Sequence, residues 1–331
     1  MLNDSAKLNP RIFSKHVDSV PVRDGYGRGL LEAGARHQNV VVLSADLEES
    51  TRCHWFSKLY PDRFIEMGIA EQNMAGVAAG LGVSGKTPFI NSYATFSPGR
   101  NWEHIRTLCA YNDSNVKIVG HHAGVSTGPD GATHQAIEDI ALMRAIPNMS
   151  VVVPCDALEA HKATVTAATL WGPTYLRLQR EQTPVITTAD TPFVFGKAQE
   201  FWISKKIKPS VLLVAAGPLL YHALLAAKDL EAEKIGSVVL NMATIKPLDE
   251  KTLITWVKKI GTVVTCEEHS VIGGLGGAVA EVLAKTYPVP MESVGIQDVF
   301  GQSGSVRDLL EHYHLMPKDI VRAAKKVIAR L

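Results

Sequence analysis

Short runs of β-branched and apolar residues alternate along the chain with longer stretches whose apolar positions recur at helical spacing. "NVVVLSAD" (39–46), "KTPFINSY" (86–93), "NVKIVGHH" (115–122), "MSVVVPCD" (149–156) and "PTYLRLQR" (173–180) read as buried strands. Between them, 23–37, 72–83, 101–111, 136–145 and 157–171 predict amphipathic or small-residue helices. This alternation predicts a mostly parallel sheet covered by helices on both faces. A Thr- and Pro-rich break, "TPVITTADTP" at 183–192, is followed by a second α/β series. Its strands fall at 209–217, 236–244 and 261–270, and its helices at 219–234, 249–259 and 275–286. The expected fold is α/β with two domains, each a mostly parallel sheet flanked by helices. We place an arm over 1–20, a first domain over 21–185, a linker over 186–195 and a second domain over 196–331.

Composition narrows the functional classes. With 331 residues, 46% of them apolar and 20% charged, the chain can bury two cores and reads as soluble and globular. A net charge of +1 without a Lys/Arg run argues against a nucleic-acid partner. No apolar stretch approaches the roughly 18 residues of a membrane span, and no signal-peptide core precedes the first strand. Cys53, Cys109, Cys155 and Cys266 form no CxxC pair and are expected to be buried reduced thiols of a cytoplasmic protein.

Candidate chemistry gathers at the strand ends, where the loops of such sheets converge. Asp46 and Ser50 follow the first strand, Tyr93 and Phe96 the second, His121, His122 and "AGVSTGPDGATHQ" (123–135) the third, and Arg180 the last. The glycine-rich loop carries Asp130 and His134 between positions that let a ligand approach closely. A metal site built from His121, His122 and His134 matches no strong ligand spacing. "EEHSVIGGLGGAVAEVLA" (267–284) looks dinucleotide-like, but its third glycine is misplaced, which favours a tight turn with close helix packing. "MGIAEQNMAG" (67–76) sets Glu71 among small and apolar residues, where a charge is costly without a partner or a task.

Together, "IAEQNMAGVAAGL", "YATF", "GVSTGPDGATHQAIEDIALMRAIPNMSVVVPCD" and "TVVTCEEHSVIGGLGG" resemble the transketolase family of thiamine diphosphate enzymes. The resemblance runs from Val22 to the C-terminus and implies a pyrimidine-binding domain followed by the family's C-terminal domain. It implies that Glu71 contacts a ring nitrogen of the cofactor's aminopyrimidine and promotes its imino tautomer, a proton-sharing task served by a dry pocket. It implies that Phe96 stacks on that ring, with Tyr93 and Trp102 as further aromatic neighbours and Asp46 near the cofactor. Arg23, Ser50, His134 and Arg180 match residues that hold a substrate phosphate, where a guanidinium fork fits well. His122 and Asp130 match residues reading sugar hydroxyls and the carbonyl. The implied reaction moves a two-carbon ketol unit from a ketose phosphate to an aldose phosphate.

One departure is informative. The family's diphosphate- and Mg2+-binding GDG motif occurs nowhere in the sequence. The resemblance therefore implies a C-terminal subunit of a split enzyme, active only with an N-terminal subunit that supplies the metal site (Mg2+ or Ca2+). The expected assembly is an α2β2 heterotetramer, self-associating through both domains. Two relatives share the layout: 1-deoxyxylulose-5-phosphate synthases and the β subunits of 2-oxo acid dehydrogenases. The "DGATHQ" loop and Arg180 speak against the latter. A non-catalytic assembly subunit would need neither Glu71 nor Phe96.

Overall fold

The computed structural model describes residues 1–14 and 16–331. In the first half, β1 (Ser19–Pro21), α1 (Val22–Arg36), β2 (Val40–Ser44), α2 (His54–Leu59), β3 (Phe64–Glu66), α3 (Glu71–Val83) and β4 (Thr87–Tyr93) succeed one another. Next come α4 (Trp102–His104), extended by a π-helical stretch over Ile105–Ala110, and β5 (Lys117–His121). A 3-10 turn over Val125–Asp130 leads to α5 (Asp139–Arg144), β6 (Ser150–Val152), α6 (Ala157–Ala167), β7 (Thr174–Arg177) and β8 (Gln182–Pro184). The second half begins with β9 (Gln199–Ile203), β10 (Pro209–Ala215), α7 (Leu219–Ala232), β11 (Gly236–Asn241) and β12 (Thr244–Lys246). It ends with α8 (Glu250–Ile260), β13 (Val263–Ser270), α9 (Leu275–Thr286), β14 (Met291–Ile296), α10 (Val306–His312) and α11 (Pro317–Ile328).

The first sheet has the order β12-β6-β7-β5-β4-β2-β3 and is parallel except for β12. Its inner strands are buried on both faces, as "VVVLS" in β2 requires. Lys117, in β5, is buried with them: its ammonium donates to Asn115 Oδ1 and to the carbonyls of Leu170 and Gly172, at 2.7–2.8 Å. On one face α1 lies close on α6, since a Cβ at Gly25 would collide with the Ala157 carbonyl. The second sheet, β14-β13-β10-β11-β9, is parallel apart from β9 at its edge. The α/β class with two mostly parallel sheets is as the sequence predicts.

The junction differs from a plain linker. β12, from the second half, pairs antiparallel with β6, Thr244 opposite Val152. Ile186 is fully buried, and Asp156 accepts the N–H groups of Ile186 and Thr187 at 2.9 and 2.7 Å. The arm is fastened as well: Ala6 and Ile12 are buried in the core under α7, and Leu2 bridges to Trp202 in β9. Two buried polar groups cross between the halves. Arg177 donates to Asp139 at 2.7 Å and to the Glu268 carbonyl at 2.9 Å, while Glu159 accepts from Asn241 at 2.6 Å. Several elements are shorter than their apolar patterns predict. The segment 136–145 becomes helical only from Asp139, because Gln135 and Ala136 are held in the glycine-rich loop by Gln135 Nε2→Val125 O and Gly124 N→Ala136 O.

Candidate active site

The carboxyl ends of β2, β4, β5 and β7 meet the N-terminus of α3 along one edge of the first sheet. Glu71 is the first residue of α3, after Ala70, which offers no side-chain cap, so its carboxylate lies at the positive end of the helix. It is 1% exposed. Its Oε2 accepts from Arg100 Nη1 at 2.9 Å, and Asn101 Nδ2 donates to its backbone carbonyl at 3.0 Å. The Arg100 guanidinium carbon sits 4.9 Å from the centre of the Phe96 ring. A cavity of about 230 Å³ opens here, lined by Asp46, Leu47, Ile69, Glu71, Phe96 and Arg100 among others. Asp46 reaches it by adopting a left-handed backbone (φ 60°), fixed by its N–H on Glu66 Oε1 at 2.7 Å.

Beside the cavity four rings pack together. Tyr93 stacks on His122 with ring centres 4.0 Å apart and on Phe96 at 6.0 Å, and the His134 ring meets Phe96 edge-on at 5.4 Å. Arg23, from the start of α1, donates through Nη1 to His122 Nε2 at 3.0 Å and to the Ser50 carbonyl at 2.9 Å. A guanidinium only donates, so Nε2 accepts, and a neutral ring carries its proton on Nδ1. Burial, with Arg23 and Arg180 beside it, pushes the His122 pKa down to about 3, so the ring is neutral across the physiological range. That Nδ1 is buried and finds no partner among the described residues; Arg23 Nε and Thr95 Oγ1 are in the same condition. Arg180 donates to the Thr127 carbonyl at 3.1 Å and to Asp130 Oδ1 at 3.2 Å, tying the last strand to the glycine-rich loop. The loop's other end is braced from the second domain by Glu268 Oε1, which accepts the Ser126 N–H at 2.6 Å.

The structure thus brings Glu71, Phe96 and Asp46 to one cavity, and Tyr93, His122, His134, Arg23 and Ser50 to its flank, with Arg180 on Asp130. Trp102, expected beside the ring, lies elsewhere: its indole N–H donates to Leu142 O at 3.0 Å, and its rings pack on the core beneath the sheet. His121 also turns away, its Nε2 on Asn91 Oδ1 at 3.2 Å. Among the described residues no group of three or more His, Cys, Asp or Glu could hold a metal ion. All four cysteines are buried and free. The glycine-rich turn before α9 is filled from within, since Glu267 accepts the N–H groups of Leu275 and Gly276 at 2.6 and 2.7 Å. Sequence reading passed over Arg100 and Glu268. Arg100 was detectable as a cation four residues beyond Phe96; nothing local points Glu268 at a loop more than 130 residues earlier.

Two family models match: transketolase, pyrimidine binding domain, over residues 18–185, and transketolase, C-terminal domain, over 202–320. The chain is 44% identical to a putative transketolase C-terminal section of Methanocaldococcus jannaschii, covering 91% of this chain and 94% of that one. It is 40% identical to a 6-deoxy-6-sulfo-D-fructose transketolase subunit of Clostridium sp. (strain MSTE9), covering 96% and 98%. A solved structure described as a split gene transketolase, inactive beta4 tetramer, superposes with a TM-score of 0.85 at 45% identity, covering 94% of this chain and 99% of that one.

Proposed function

This chain belongs to the transketolase family, and from that premise we propose that it is the C-terminal subunit of a split, thiamine diphosphate-dependent transketolase. In this reading it moves a two-carbon ketol unit from a ketose to an aldose. The carrying observation is Glu71: a carboxylate 1% exposed, at a helix N-terminus, facing a cavity walled by Phe96 and apolar side chains. That donor set fits an aminopyrimidine, which asks for a flat apolar face and one proton-sharing carboxylate. Two relatives of nearly the same length, named as a transketolase section and a transketolase subunit, support the split arrangement.

Bound thiamine diphosphate would supply an electron sink for the two-carbon unit while a carbon–carbon bond of the ketose is broken. Glu71 holds and returns a proton at the ring nitrogen. Phe96, with Tyr93 behind it, excludes water from the ring face, and Asp46 lies beside the same cavity. His122 offers its Nδ1–H to the substrate carbonyl oxygen, its neutral state secured by Arg23 and burial. Arg23, Arg180, Ser50 and His134 receive the anionic end of the sugar, and Asp130 its hydroxyls. A guanidinium pair suits a phosphate and a sulfonate alike, and a relative acts on a sulfosugar by name. The N-terminal subunit is assigned the diphosphate and Mg2+ in an α2β2 assembly.

The test is reconstitution. The chain is mixed with an N-terminal-type subunit, thiamine diphosphate and Mg2+, and ketol transfer is assayed with a phosphorylated and a sulfonated ketose. Transfer by the mixture and by neither chain alone is the expected result. A stable complex that processes pyruvate, and no ketose, would overturn the reading.

A further inference from the structure

The contact between Arg100 and Glu71 does more than neutralise a charge. A carboxylate this deeply buried is costly without a partner, and Arg100 is the one cation in ion-pair contact with it among the described residues. Arg100 itself is not buried: its side chain is 44% exposed and it stands on the turn between β4 and α4. It reaches inward to make two contacts at once, Nη1 on Glu71 Oε2 at 2.9 Å and the guanidinium carbon over the Phe96 ring, 4.9 Å from its centre. Tyr93 stacks beside the same ring and His134 closes its edge. Glu71 and Phe96 are the two groups that an aminopyrimidine in this cavity would engage, and Arg100 engages both.

We propose that Arg100 is a built-in occupant of the ring slot: it holds Glu71 and covers Phe96 while the slot is empty, and swings outward when an aminopyrimidine enters. This inference rests on the proposed cofactor. The exchange trades the guanidinium N–H on the carboxylate for one proton taken up and shared between Glu71 and the ring nitrogen, and one planar group beside Phe96 for another. The empty site is thereby kept from presenting an unpaired charge. It also lowers cofactor affinity, because binding is reduced by the fraction of molecules in which Arg100 is already out.

Thiamine diphosphate binding is measured by calorimetry on the chain assembled with its N-terminal-type subunit and Mg2+, for wild type, Arg100→Lys and Arg100→Met. Arg100→Met is expected to bind about tenfold more tightly, with Arg100→Lys between, because the closed population is removed. Unchanged or weaker binding by Arg100→Met would overturn the proposal and make Arg100 a lasting part of the loaded site. Should Arg100→Met fail to assemble, wild-type crystal structures with and without thiamine diphosphate decide the matter. The contact between Arg100 and Glu71 is expected in the empty form and broken in the loaded one; its persistence in the loaded form would overturn the proposal. Absence of thiamine diphosphate binding by wild type would instead count against the cofactor assignment itself.

Discussion

The two large sheets of this chain are built by the same rule, inner parallel strands buried on both faces with helices returning between them, yet their carboxyl edges come to opposite conclusions. At the edge of the first sheet, buried polar atoms stand without protein partners: Arg23 Nε, Thr95 Oγ1 and His122 Nδ1. At the edge of the second, the more motif-like segment, "HSVIGGLGG", is self-contained, because Glu267 from β13 occupies the N-terminal N–H groups of α9. A glycine-rich strand–turn–helix is thus no evidence of a ligand when its own sequence supplies the anion. Unpaired donors in a crevice are the better guide, since burying them carries a penalty that folding alone does not repay.

The sharpest way to break this contrast is at Glu71. Glu71→Gln in the reconstituted enzyme is expected to lower kcat by about 10²- to 10⁴-fold, with an unchanged circular dichroism spectrum; retained activity would remove the first edge's claim to catalysis. The seam between the two regions comes next. Arg177→Met leaves Asp139 buried without its cation and is expected to cost about 3–5 kcal/mol in denaturant unfolding. A smaller, pH-dependent effect is expected at Glu159, whose carboxyl is pushed up to about 7 by burial first and by Asp156 second. A raised folded-state pKa means a contribution that is whole below the unfolded value of 4.5 and lost as pH rises through about 7. Wild type should therefore lose about 3 kcal/mol relative to Glu159→Gln across that window, read from unfolding midpoints at several pH values; parallel curves would refute the linkage. Glu267→Gln, at the second edge, is expected to cost about 1–3 kcal/mol of stability and to change the ketol-transfer rate less than about twofold. A large loss of rate there, with stability intact, would erase the distinction between the two edges.

The sequence was most legible where one physical signal dominates. Runs such as "VVVLS" and "VLLVA" can only be buried strands, and they give both sheets. Glu71 stands out because a lone carboxylate among Gly, Ala, Ile and Met is costly anywhere but in a site. Trp102 departs from its expected place because nearness in sequence to Phe96 is not nearness in space. The chain turns helical at Trp102, and the indole is carried onto the far side, towards Leu142. Arg100 was missed for the complementary reason: a solvent-facing arginine on a turn looks ordinary until its reach to Glu71 is seen. β3 and β12, three residues each, carry too little apolar pattern to separate from loop. The clamps from Glu268 and Asn241 join positions 142 and 82 residues apart, which no local pattern encodes.

β12 has a consequence for how the molecule can be made and cut. The strand that finishes the first sheet is translated more than sixty residues after β7, the last of that sheet's other strands to leave the ribosome. Until it arrives, β6 is a raw border, with unpaired N–H and C=O groups able to recruit any extended segment nearby. A fragment ended at the apparent border near residue 190 would keep that border for good, and self-assembly through β6 into insoluble material is its expected fate. Thr244–Lys246 therefore serves as a cover that the second half places on the first, and a soluble excised first half would have to carry its own replacement for it.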